Sequence, residues 1–228
     1  MEPIKEPKPL VLVSSSPHMH CGLTISKSMR EVILALVPAV LASVYYFRVD
    51  AVRVIVCCVL SAIIFEKLAN KVMGVKKDTV KDGSAALTGL LLALCLPASL
   101  PSYMAVLGGM FAVVIGKAIF GGLGKNIFNP AHIGRAILLA SYASVMAGNW
   151  VKVGEKALVV GSNADIVTAA TPMMLMKGVD AAGWETLTNT YTLGDMFIGR
   201  IGGSLGETSA LALLLGFVYL LLRRVINW

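Results

Sequence analysis

The chain of 228 residues is 57% hydrophobic and only 14% charged, with a mean hydropathy of +0.78. That balance excludes an ordinary soluble domain and marks an integral membrane protein. Cys21, Cys57, Cys58 and Cys95 are scattered, the last three within apolar runs, so they form neither a disulfide framework nor a metal-type spacing, and the formal charge of +7 records which loops face the cytoplasm rather than a nucleic-acid footprint.

Residues 1–30 read as a cytoplasmic tail followed by an interfacial segment. Met1 to Leu10 interleaves Glu2, Lys5, Glu6 and Lys8 with prolines, unlike a cleavable signal peptide, and Thr24 to Arg30 is amphipathic. Transmembrane helices 1–5 are expected within 31–147. The first two, Glu31–Phe47 and Ala51–Phe65, form a hairpin about Arg48-Val49-Asp50, with Pro38 kinking the first. A charged loop from Glu66 to Asp82 leads into the apolar run Ser84–Leu96. That run is cut off by Pro97 and Pro101, and at about 1.5 Å per residue it falls short of the roughly 30 Å hydrocarbon core. A discontinuous helix at a binding site and a tilted short span both fit it.

The fourth span, Tyr103–Phe120, carries Gly108, Gly109 and Gly116 at positions that permit close helix approach. After the turn Gly121 to Pro130, Asn129-Pro130 starts a fifth span from Ala131 to about Met146. His132 and Arg135 share one face of it. In lipid such a pair must face protein, water or a ligand, and snorkelling at headgroup level is the alternative. Residues 148–206 read as an extracytoplasmic loop with Trp150 and Trp184 as interfacial candidates, and 207–228 as helix 6 with a cytoplasmic end.

Within the long loop, Asp165-Ile166-Val167-Thr168-Ala169-Ala170-Thr171-Pro172 combines small residues with a helix start. Thr171 can cap the backbone while Pro172 sets the first turn, and the positive helix end also suits a phosphate, so a plain cap and a phosphate anchor both remain open. With both chain ends inside, only Arg48, Arg53, Lys152, Lys156, Lys177 and Arg200 of the 20 Lys and Arg fall outside and 14 inside. This puts Thr171 on the outer face. Gly83-Ser84-Ala85-Ala86-Leu87 and Thr208-Ser209-Ala210-Leu211-Ala212 open Leu-rich spans from opposite sides, as an inverted repeat requires, although chance similarity between such helices explains them as well.

Five ordered motifs carry a family resemblance over nearly the whole chain: Ser14-Ser15-Ser16-Pro17-His18, Asp82 to Gly89, Lys117 to Pro130, Thr168-Ala169-Ala170-Thr171-Pro172, and Gly206-Glu207-Thr208-Ser209-Ala210-Leu211-Ala212. Together they resemble the NqrB/RnfD family, with the nearest likeness to its Rnf branch. The resemblance implies an all-α integral membrane protein of about six transmembrane helices here, part of an inverted-repeat bundle, in a bacterial or archaeal cytoplasmic (inner) membrane. It implies a flavin-carrying electron-transfer subunit of a redox-driven translocase that moves electrons between ferredoxin and NAD+ and couples them to Na+ or H+. The expected partners are the flavin- and Fe-S-carrying subunits of the complex and the lipid bilayer, with no nucleic acid. FMN would be attached through a phosphoester to Thr171, with Thr168 and Asp165 shaping the site and His132 and Arg135 as candidate flavin or ion contacts. A further flavin site, for riboflavin, is implied without assignable residues, and no residue is assigned to catalysis or to a metal. The Gly of the family's attachment motif is Ala169 here, one methyl bulkier. The family's longer members continue beyond the span ending at Leu222, so the chain reads as a shortened form. A passive channel or transporter, with Asn129-Pro130-Ala131 resembling half of the aquaporin signature, and a flavin-free scaffold are the rival readings.

Overall fold

The computed structural model describes residues 24–74, 79–148, 150–151, 171–176 and 191–226. All of its regular elements among these residues are helical. Helix α1 runs Ile25–Val72, with Thr24 as its side-chain N-cap and a sharp break at Arg48, whose φ of 52° and ψ of −127° lie outside helical space. A non-glycine residue with positive φ carries backbone strain, which surrounding structure must hold in place. Arg48 thus divides two long helical stretches where the sequence suggests a hairpin turn. The second stretch runs on through Glu66 to Val72, so much of the expected charged loop is helix.

The remaining helices are short. A 3₁₀ turn at Thr79–Asp82 leads to α2 (Ser84–Leu94), which ends three residues before Pro97. Next come α3 (Ser102–Val113), a π-helical segment (Val114–Ala118) and α4 (Pro130–Ser141), started by Asn129 capping Ala131. Tyr142 breaks the expected fifth span, and α5 (Ala143–Gly148) follows. Then come α6 (Pro172–Met176), α7 (Leu193–Ile198) and α8 (Ala210–Leu222).

Among the described residues no helix is long and apolar enough by itself to cross a membrane. The physical reasons differ from helix to helix. Helix α1 is interrupted at Arg48 and carries charge near both ends, while α2, α3, α4 and α8 have 11, 12, 12 and 13 residues against the roughly 20 that a span needs.

Helices α2 and α3 both pack on α1, α4 packs on α3, and α8 lies along α1. The core joins Val54 and Cys58 of α1 to Leu92 of α2, Met104 of α3 and Leu138 of α4. At the α1–α2 crossing the backbones nearly touch. A Cβ at Gly89 would stand 2.7 Å from both the Cys58 carbonyl oxygen and the Val59 Cα. Backbone cannot yield as a side chain can, so Gly89→Ala is expected to destabilise the protein by about 1–3 kcal/mol, read as a lower midpoint in thermal unfolding.

The C-terminal helix is fastened by polar contacts. Tyr219 Oη donates to Glu31 Oε2 at 2.7 Å, and Arg223 reaches both carboxylate oxygens of Glu31 at 2.6 and 3.1 Å. The outer faces are the reverse of a soluble protein's. Leu41, Val56, Leu60 and Ile64 on α1 and Leu214, Leu215 and Phe217 on α8 are all exposed, a continuous apolar surface of the kind that meets lipid or a partner.

Candidate functional site

The glycine-rich return Gly199–Ser209 is pinned against the C-terminal end of α2. Leu205 N–H donates to the Leu96 carbonyl at 3.1 Å and Gly206 N–H to that of Leu94 at 2.7 Å, so the return adds backbone to the open C-terminal end of α2. Gly206 permits this approach, since a Cβ there would lie 2.7 Å from Leu94 Cβ.

Helix α7 leads into the return through a capping box. Thr192 Oγ1 accepts from the Asp195 N–H at 3.2 Å and donates to Asp195 Oδ2 at 2.6 Å. That short bond from the Thr192 hydroxyl holds the Asp195 carboxyl below its ordinary range, with Arg200 at 3.8 Å adding to the effect. A lowered folded-state value contributes stability that is present above the unfolded value and lost as pH falls through the folded one. The protection factors of the Met196 and Gly199 amides against hydrogen exchange are therefore expected to fall below about pH 4, the ordinary carboxylate range, and to stay level between about pH 6 and 8.

Between this return, α4 and the start of α6 lies a pocket of about 400 Å³, open on one side, lined among others by Arg135, Thr171, Pro172, Gly203, Glu207 and Thr208. The size falls within the roughly 300–1,000 Å³ of small-molecule sites. Thr171 immediately precedes α6, so the expected helix start at Thr171-Pro172 is in place. Trp150 and the backbone of Gly202 complete the wall. Glu207 sits exposed at the rim and accepts a hydrogen bond from Ser204 Oγ at 2.8 Å.

The structure brings Thr171 and Arg135 into one pocket. Arg135 is half-buried, interacts with the Cys95 thiol at the end of α2, and is one of the residues lining the cavity. The charge count puts Arg135 on the inner side and Thr171 on the outer, whereas both line this one pocket. The count takes the fifth span to begin at one membrane face, whereas α4 is a 12-residue helix whose midpoint reaches the pocket. His132, one turn earlier, is exposed and stands outside the pocket lining. Thr168 and Asp165 lie outside the described residues.

In the sequence Thr208 stands out only as part of a motif. It is 1% exposed, and its Oγ1 is one of two buried side-chain polar atoms without a partner among the described residues, the other being Arg53 Nε. An unsatisfied buried hydroxyl costs about 1–3 kcal/mol, and Thr208 is also one of the residues lining the pocket. An FMN group held through its phosphate fits these residues: a hydroxyl at Thr171, the cation of Arg135, an unused donor and acceptor at Thr208, and close backbone at Gly202 and Gly203.

The profile of the NQR2, RnfD, RnfE family matches residues 12–228. The chain belongs to this family. It is 42% identical, over 97% of its length and 65% of the relative's, to the D subunit of the proton-translocating ferredoxin:NAD(+) oxidoreductase complex of Clostridium ljungdahlii. To the D subunit of the Na(+)-translocating ferredoxin:NAD(+) oxidoreductase complex of Acetobacterium woodii it is 41% identical, over 95% of this chain and 64% of the relative. The D subunit of the ion-translocating oxidoreductase complex of Rhodobacter capsulatus shares 35% identity over 93% of this chain and 64% of its own. The chain thus spans just under two thirds of the length of these curated relatives.

A second polar cluster of this family member lies at the other end of α2. Lys117, in the π-helical segment, donates to both carboxylate oxygens of Glu66 at 2.8 and 2.9 Å and to Ser84 Oγ at 2.7 Å. The two charged side chains are only 3% and 4% exposed. Glu66 was expected at the start of a charged loop and Lys117 among the inward surface charges, but they form a buried pair.

Proposed function

We propose that this chain is a membrane-embedded electron-transfer subunit of an ion-translocating ferredoxin:NAD+ oxidoreductase, carrying FMN on Thr171 through a phosphoester. The observation that supports this most directly is that Thr171, Arg135 and Thr208 line one pocket, in a chain that shares 42% identity with a relative named for that reaction.

A bound flavin would supply the redox chemistry, accepting and passing on electrons. The chain's own residues position and tune it. Thr171 fixes the attachment point at the head of α6, Arg135 balances phosphate charge, and Thr208 offers a hydrogen bond from the floor. Met173 and Trp150 flank the pocket with apolar surface and restrict water. The capping box of α7 and the backbone bonds of Leu205 and Gly206 hold the return rigid against α2, which preserves the pocket's shape through repeated charge changes.

Placement in the membrane is supported by the exposed apolar surfaces of α1 and α8. The partners are the remaining subunits of the complex, and the translocated ion is Na+ or H+. The extracytoplasmic position of residues 148–206 follows from the charge asymmetry of the loops.

An intact mass of the full-length protein, purified from cells that make the whole complex, tests this reading. The expected result is the polypeptide mass plus one esterified FMN. A mass equal to the bare polypeptide overturns covalent attachment. A flavin-free chain that carries a solute into liposomes without an electron donor supports the channel reading in its place.

A further inference from the structure

The Glu66–Lys117 pair is more than a pair. Three oxygens, both of Glu66 and the Ser84 hydroxyl, converge on one nitrogen. The carboxylate is also held from behind, independently of Lys117. Thr79 Oγ1 donates to Glu66 Oε1 at 2.6 Å while accepting from Asn70 Nδ2 at 2.8 Å. Removing the ammonium would therefore leave an oxygen cage in place, with one negative charge and little exposure to water.

Two further features set this apart from a static ion pair. A small cavity of about 50 Å³ adjoins the cage and is lined by Glu66, Lys117, Asn70, Thr79, Gly121 and Gly122. It gives the ammonium somewhere to go and an incoming ion a way in. Lys117 also sits in a five-residue π-helical segment, closed by the Ile119 N–H bonding the Val114 carbonyl at 3.1 Å. Such segments recur at functional sites. Relaxing a π turn to α geometry shifts the register by one residue, which rotates the side chain by about 100°.

We infer that this cage is a binding site for a small monovalent cation, with the Lys117 ammonium as its resident, displaceable occupant. When the cation enters, it takes the Glu66 and Ser84 oxygens. The ammonium keeps its proton and swings into the adjoining cavity, so the region gains one positive charge. The site gives the ion coupling of the proposed function a location in this chain, and it rests on that reading only for its physiological role.

Cation-dependent acylation of lysines in membranes carrying the full-length protein, read by peptide mass, tests the exchange. Lys117 is shielded in the cage, whereas Lys67 and Lys71 are exposed and serve as internal standards. Acetylation of Lys117 by an N-hydroxysuccinimide ester is expected to rise several-fold when choline chloride is replaced by sodium chloride at equal ionic strength, with Lys67 and Lys71 unchanged. Ser84→Ala removes one cage oxygen and leaves the ion pair, so it should shrink the sodium effect. Equal labelling in the two salts, or a Ser84→Ala chain as responsive as the wild type, overturns the proposal. Repeating the measurement on Thr171→Val separates it from the flavin reading, because the exchange needs no flavin.

Discussion

Thr171→Val is expected to abolish flavin fluorescence from the band of the denatured protein on a gel, while Thr171→Ser keeps it. Valine matches threonine in shape and branching, so the substitution removes a hydroxyl and little else. If Thr171 were only the cap of α6, its loss would cost about 1 kcal/mol. That is a small part of the roughly 5–15 kcal/mol that holds a folded protein together, so the variant should still accumulate and a dark band would report lost attachment. Denaturation removes any flavin held only by Arg135 and Thr208, which makes the band specific for a covalent bond. A Thr171→Val band as bright as the wild type would place the attachment on another residue.

The second large effect is expected at Lys117. In choline salts Lys117→Met leaves the Glu66 carboxylate, 4% exposed, without a counter-charge. Removing one partner of a buried pair typically costs about 3–5 kcal/mol, whereas replacing both by apolar or neutral groups of similar size is often neutral. The double variant Glu66→Gln/Lys117→Met is therefore expected to unfold close to the wild-type temperature, with Lys117→Met well below it. Similar losses in the single and the double variant would show that the pair's hydrogen bonds to Ser84 and Thr79 matter more than its charge.

The helical class of the protein and the start of α6 at Thr171-Pro172 were legible because they follow from local rules, apolar runs bounded by proline and a capping residue. The shortness of α2 was legible for the same reason, with Pro97 at its end. The break at Arg48 was partly legible, since Arg48-Val49-Asp50 interrupts the apolar pattern, but a single residue of positive φ within an otherwise helical stretch leaves no signature that distinguishes it from a turn. Thr208 stood out only as part of a motif, because a hydroxyl's lack of a partner is a property of three-dimensional packing. The Glu66–Lys117 pair was missed although a signal existed. Lys117 falls inside the apolar run Tyr103–Phe120, and Glu66 ends one that begins at Ala51. An isolated charge in each of two apolar runs is a reason to look for one partnering the other across the fold. Their separation of 51 positions along the chain kept that pairing out of reach of any local pattern.

Helix α2 also works as a ruler. Its 11 residues at about 1.5 Å each set the cation cage near Ser84 some 16 Å from Cys95, the neighbour of the pocket residue Arg135. At an effective dielectric constant of about 20, a unit negative charge in the pocket lowers the energy of a cation in the cage by about 1 kcal/mol, roughly a fivefold change in its affinity. Electrostatics across this helix can thus bias ion occupancy with redox state but cannot enforce it. A strict exchange of electrons for ions needs a mechanical step as well, and the π-helical segment bearing Lys117 is the element of this fold able to make one.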